Sequence, residues 1–131
     1  MIQSALMTYL RTQISAVSNR VFCIKAPENP IAPYIVIDLE NSFHERYLDY
    51  SNGLKEYDFE IACYGTTPEQ AIPVAKTIIT TLESYRGRLT STESPQVNYY
   101  IADIAIVSQS ENYDYQADLV VHSVFITVQF R

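Results

Sequence analysis

The chain has 131 residues, 47% of them apolar and 18% charged, with a net charge of −6, which fits one folded domain spanning residues 1–131 and not a disordered chain. Nine Lys and Arg stand against fifteen Asp and Glu, and their scatter disfavours a protein that grips nucleic acid through a basic surface, because phosphate neutralisation needs clustered Lys and Arg. The apolar runs fall far short of the ~20 residues of a membrane helix, and MIQSALMTYLR lacks the cationic start and long apolar centre of a signal peptide, so synthesis inside the cell is the expectation.

Ile2, Leu6, Leu10, Ile14 and Val17 recur at spacings of three and four, flanked by Ala5 and Tyr9, which predicts one amphipathic helix that Ser18-Asn19 ends. A short strand over 20–24 follows. KAPENPIAP carries three prolines in nine residues and reads as a loop. In YIVIDLEN, Ile35, Ile37 and Leu39 alternate with Val36, Asp38 and Glu40, a strand with one buried face. SFHERYLDYSNG is polar and aromatic, with turn chemistry at Asn52-Gly53. From Leu54 to Tyr64 alternation returns, with Tyr57, Phe59, Ile61 and Cys63 inward and Asp58, Glu60 and Ala62 outward. Thr67-Pro68-Glu69-Gln70 has the form of a capping box, with Thr at the N-cap, Pro first in the helix and Gln third. The helical stripe is Ala71, Val74, Ala75, Ile78, Ile79 and Leu82, with Pro73 placed to distort its start and Gly87 just past its end. After the loop TSTESPQ come two long strands, 98–110 with Tyr100, Ala102, Ile104 and Ile106 on one side, and 119–131 with Val120, Val124, Ile126, Val128 and Phe130 on one face. Between them SENYDYQAD is long enough to project. The expected fold is α+β, in the order α-β-β-β-α-β-β: a mainly antiparallel five-stranded sheet with both helices packed on one face. The uncovered face then meets water, a ligand or another subunit.

That face should carry Asp38, Glu40, Asp58 and Glu60. In a hairpin with Asp38 near Glu60 and Glu40 near Asp58, four carboxylates share one surface. Seven of the fifteen acids lie between residues 38 and 60, opposed there only by Arg46 and Lys55. Like charges across a sheet repel, so solvent, a cation, a partner's basic surface or a different register must offset them. A metal-dependent hydrolase or nuclease would use such a set, but it wants carboxylates converging in a pocket with a Lys or His beside them. No ExK follows Glu60, His44 sits on a loop and His122 on a distant strand. The favoured reading is therefore a solvated, electrostatically useful acidic face. His122 reads as a hydrogen-bonded structural residue, and Cys23 and Cys63 as buried free thiols. Ser and Thr occur in no GxSxG context and no glycine-rich phosphate loop exists, so neither enzyme activity nor a cofactor is expected, and a small ligand-binding module has no defined pocket to point to. Eleven tyrosines against five Phe and no Trp suit interfaces. Two loops carry exposed aromatics, one with Phe43, Tyr47, Leu48 and Tyr50, the other with Tyr113 and Tyr115, and either loop packing or docking of another protein would use them.

A helical start, a short strand, AP, PYIVI, a gap, then Gly53 with YDFEIACYG and a capped helix together resemble the phage tail completion family, the tail terminator proteins of tailed bacteriophages and prophages. The resemblance covers residues 1 to about 90 well and the last strands in order only. It implies a small α+β subunit without enzyme activity, often assembled as a hexameric ring at the head-proximal end of the tail tube. Such a ring ends tube polymerisation and joins the tail to the head connector. The implied partners are copies of the same chain, the tail tube protein and a head-completion or connector protein, with no membrane. DNA would pass through without sequence-specific binding. The implied location is the virion tail or neck, after synthesis in the host cytoplasm. Another neck or head–tail joining component fits the same class. On this reading Asp38, Glu40, Asp58 and Glu60 face either the lumen, where carboxylates repel passing phosphate, or a subunit interface.

Overall fold

The computed structural model describes residues 2–44, 55–83, 85–92 and 94–131. In chain order these form helix α1 (Ile2–Gln13), a 3-10 turn (Ser15–Val17), strands β1 (Val21–Cys23), β2 (Tyr34–His44) and β3 (Lys55–Gly65), helix α2 (Pro68–Leu82), and strands β4 (Gly87–Thr90), β5 (Asn98–Asp114) and β6 (Leu119–Phe130). The strands make one sheet in the order β1-β2-β3-β6-β5-β4. The α+β class holds. The expected five mainly antiparallel strands are in fact six in a mixed sheet, because β1 runs parallel to β2 and a strand, β4, lies between α2 and β5. Four residues are too few to show alternation, and Gly87, which the spacing assigns to the end of the helix, instead opens β4 at φ +144°, a conformation natural to glycine.

The first helix is shorter than its stripe. α1 stops at Gln13, and the 3-10 turn carries Val17 into the same core as Ile2, Leu6, Leu10 and Ile14. Ser18 and Asn19, both at positive φ (46° and 69°), make the break. α2 begins as its sequence suggests, with Thr67 extended at the N-cap and Pro68 in the first turn. The Thr67 hydroxyl makes no capping bond; instead Gln70 Oε1 accepts from the N–H of Thr66 at 2.7 Å and from its hydroxyl at 3.0 Å. The reach-back half of the capping box is thus present, displaced by one residue. Pro73 lies inside α2 without interrupting it.

One core joins both helices to the sheet: Leu6 and Leu10 of α1 and Val74, Ile78 and Leu82 of α2 pack with Ile35 and Ile37, Phe59 and Ile61, and Val124, Ile126 and Val128 of the central strands. α2 lies over β3, β6 and β5, while α1 touches β1 and β2 and also β4, at the opposite edge. A helix can touch both edges only if the sheet curls around it, and the right-handed twist of paired strands supplies that curl. Gly65, at the end of β3, sits under the first turn of α2, where an added Cβ would lie 2.9 Å from the backbone nitrogen of Ala71. Backbone on both sides leaves no flexible atom to yield. Gly65→Ala is therefore expected to lower stability by about 1–3 kcal/mol, read as a drop in the urea midpoint with an unchanged far-ultraviolet spectrum; an unchanged midpoint would show that α2 can shift freely.

Candidate functional site

The face of the sheet away from the helices takes alternate residues of the long strands. On β3 these are Glu56, Asp58, Glu60, Ala62 and Tyr64, and on β6 they are Val121, Ser123, Phe125, Thr127 and Gln129. β6 presents donors to the carboxylates of β3. Gln129 Nε2 donates to Glu56 Oε1 at 3.2 Å, the Thr127 hydroxyl to Asp58 Oδ1 at 2.7 Å, and the Ser123 hydroxyl to Glu60 Oε2 at 2.6 Å. The first two pairs lie directly opposite in register; Glu60 faces Phe125 and leans along the strand to reach Ser123.

On β2, Asp38 lies opposite Glu60, as the hairpin reading expects. The second expected pair does not form: a bulge at Glu40 puts Asn41 opposite Asp58. Glu40 nevertheless stays in the group. It feels the charge of Glu60, and with Asp58 it lines a shallow depression of about 330 Å³ walled by Val107, Ser108 and Phe125. So the four acids named from the sequence do share one surface. Burial and crowding both act on these carboxyls. The Asp38 carboxyl is raised above its ordinary pKa by burial and then by the charge of Glu60, and that of Glu40 by lost hydration, by Glu60's charge and by Asp38.

Not all of this face is open. Tyr34 and Tyr64 stack at 4.7 Å with 7° between planes, and Phe22 tilts against Tyr34 at 6.2 Å. Val36, Ala62 and Ser123 are only 6%, 5% and 2% exposed, so the end nearest β1 is closed within the chain and the acidic part is what remains accessible. Of the aromatic residues expected on loops, Tyr47, Leu48 and Tyr50 lie outside the described residues, as do Arg46 and Asn52-Gly53. Phe43 is a β2 residue paired with Glu56, not a loop residue. The projecting segment is likewise mostly strand: β5 runs to Asp114, with Tyr113 opposite Val120. Only residues 115–118 turn. Tyr115, 87% exposed, meets the Tyr113 ring edge to face at 4.7 Å, and the Tyr113 hydroxyl donates to Asp118 Oδ1.

His122 is buried on the helix side of β6 with Nε2 2.8 Å from Gln109 Oε1, a hydrogen-bonded position as read from the sequence. Its Nδ1 lies 3.4 Å from Glu111 Oε1, though not aligned for a hydrogen bond. Cys63 is buried and Cys23 half-buried, both unpaired, and burial pushes the Cys63 thiol up to about 12, far from a nucleophile's range. Among the described residues no three His, Cys, Asp or Glu side chains group as a metal site, and no helix is long and apolar enough to cross a membrane. Sequence reasoning missed Ser123, Thr127, Gln129 and Val107. The first three carry a period-two signal, polar positions alternating with Val124, Val128 and Phe130, that gains meaning only once β6 is known to lie beside β3.

No protein-family model matches the chain, and no curated protein does. Among solved structures it is similar to a chain from the "Virion of native gene transfer agent (GTA) particle", at 15% identity with a TM-score of 0.71, covering 98% of this chain and 93% of that one. At that identity the likeness shows the fold.

Two outcomes follow for the acidic face. Thr127→Val and Ser123→Ala remove the donors to Asp58 and Glu60, and each is expected to cost about 1–2 kcal/mol in denaturant unfolding. Asp38 holds its proton more tightly folded than unfolded, so the folded chain gains protons in the acid range and loses stability as pH rises through the window above the ordinary Asp value of 3.8. Asp38→Asn should therefore raise the thermal midpoint at pH 7, with the gain vanishing below that value; a gain that persists in acid would mean that the charge is not the cause.

Proposed function

We propose that this chain is a structural protein of a phage-type virion. In that reading it is a tail terminator, a ring-forming subunit that seats on the head-proximal end of the tail tube, ends tube polymerisation and joins the tail to the head connector. The observation that carries the proposal is the fold shared, over nearly the whole of both chains, with a virion chain of a gene transfer agent particle. The order of helix, Pro-rich loop, PYIVI strand, YDFEIACYG strand and capped helix, which resembles the tail completion family, supports the finer assignment. Asp38, Glu40, Asp58 and Glu60 would then face the lumen or a neighbouring subunit, where retained negative charge repels DNA phosphate or selects a basic partner. Phe43, Tyr47, Tyr50, Tyr113 and Tyr115 would serve as docking residues toward tube or connector.

Electron microscopy of the purified chain mixed with tail tubes tests this reading. Rings seated at one end of each tube are expected, with tubes that stop growing. Rings that bind the connector and ignore tubes would reassign the chain to another neck position, and no association with either would overturn the virion role. In assembled particles, Asp58→Lys with Glu60→Lys is expected to weaken the ring or slow DNA ejection; normal assembly and normal ejection would remove the acidic face from the mechanism.

A further inference from the structure

The free edges of the sheet differ in length and in how they are guarded. β1 and β4, the outermost strands, are three and four residues long, and a Pro-rich stretch follows β1. Short strands and prolines are the devices that keep an edge from stray pairing. Beyond the reach of β1, the edge of β2 is broken by its bulge at Glu40. β5 is different. β4 pairs only with residues 98–101 of it, and just past that pairing Arg86 Nε donates to the carbonyl of Ala102 at 3.0 Å. From Ser108 to Asp114, β5 pairs with β6 on one side without a shift and with no described strand on the other. These seven residues, SQSENYD, outrun a strand of average length, about five or six residues. They include no proline and no lysine, and five of them are exposed.

We propose that the open edge of β5 over Ser108–Asp114 takes an extended, lysine- or arginine-bearing segment of a different protein as an added strand. In such strand addition, main-chain hydrogen bonds to the edge supply affinity, and side chains at alternate positions supply selectivity. On the outer face the edge presents Ser108, Ser110 and Asn112, opposite Phe125, Ser123 and Val121 in register. These are small, and they leave room beside them for the side chains of a guest. On the helix side it presents Gln109, Glu111 and Tyr113, with the Glu111 side chain 62% exposed. Charge selects the guest. Between Arg88 and Arg131 the chain holds Glu93, Asp103, Glu111, Asp114 and Asp118 and no Lys or Arg, so the fixed charge around this edge is negative. Opposite charges side by side on paired strands attract and like charges repel. A cation beside Glu111 is therefore favoured, whereas a second β5 edge laid here would set acid against acid. That separates the guest from another copy of this chain. The contact is distinct from tube capping and stands without the tail-terminator reading.

Hydrogen exchange followed by nuclear magnetic resonance tests it, with a short peptide that alternates Thr and Lys and is blocked at both termini. A second peptide of the same sequence and charge, methylated at every backbone nitrogen, has no N–H to donate and cannot pair as a strand. With the first peptide about tenfold above its dissociation constant, exchange of alternate amides within residues 108–114 is expected to slow about tenfold. The methylated peptide is expected to leave them unchanged. Glu111→Lys turns attraction into repulsion and is expected to weaken binding of the Thr–Lys peptide about fivefold. The position is exposed and circular dichroism checks folding; the comparison of the two peptides on the unaltered chain stands whatever the variant does. No slowing with the Thr–Lys peptide, equal slowing with the methylated one, slowing confined to other strands, or unchanged affinity in a folded Glu111→Lys chain would each overturn the proposal. So would edge amides that become protected without peptide as the chain is concentrated, because a second copy would then be the occupant. Strand addition in a chain that fails to cap tail tubes would leave this contact standing and remove the tail-terminator assignment alone.

Discussion

β3 and β6 pair residue for residue, Lys55–Gly65 against Val120–Phe130, without a bulge. On the helix side this pairing sets Phe59, Ile61 and Cys63 against Ile126, Val124 and His122, and each large apolar side chain buried there contributes about 1.5–3 kcal/mol. On the other side it sets Glu56, Asp58 and Glu60 against Gln129, Thr127 and Ser123 as hydrogen-bond partners. A slip of one residue would turn carboxylates into the core and Ile61 outward. Both faces therefore lock one register, and the other elements build from it. β2 adds to the free edge of β3, β5 to that of β6, and α2 lies across the pair, with Gly65 letting its first turn approach.

The irregularities sit outside this pair. β2 has a bulge at Glu40, and β5 has register shifts between Ile101 and Asp103 and between Ile106 and Ser108. A bulge adds one unpaired residue and bends its strand. In β5 the two shifts keep Ile101, Ile104 and Ile106 on the helix side while Val107 is turned out. The bulges at Glu40 and Val107 border the same depression, so the accessible hollow of the outer face is made by the two places where the ladder breaks.

Legibility from the sequence follows from how far each signal reaches. The stripes of α1 and α2 and the alternation in β2, β3 and β6 are local, and Phe59, Ile61, Val124, Ile126 and Val128 are core as their spacing says. The spacing in β5 sets Tyr100 and Ala102 beside Ile104, because a bulge cannot be seen in a chain whose partner is unknown; one extra residue reverses the alternation. β4 is too short to carry a period. The acidic set was visible because Asp38, Asp58 and Glu60 alternate with apolar residues. Their donors were invisible because Ser, Thr and Gln on a strand are ordinary, and nothing local says that β6 inserts between β3 and β5. Polar ENYD lacks the apolar alternation of a strand and reads as a loop; backbone pairing of Tyr113 to β6 and the Asp114 side chain, which accepts from the N–H groups of Gln116 and Ala117, make it the end of a hairpin.

The kind of donor chosen for the outer face is informative. Lys or Arg at positions 123, 127 and 129 would have neutralised Glu60, Asp58 and Glu56 and strengthened each bond. Hydroxyl and amide donors instead hold the carboxylates in position and leave their charge in place. The carboxyls of Asp38 and Glu40 are accordingly raised, first by burial and then by the charge of Glu60 across the β2–β3 ladder. Arg88 and Arg131 instead flank Tyr100 where β4, β5 and the end of β6 meet, on the same face as Thr127 and Gln129. Uncharged donors thus fix the geometry of this face and preserve its acidity.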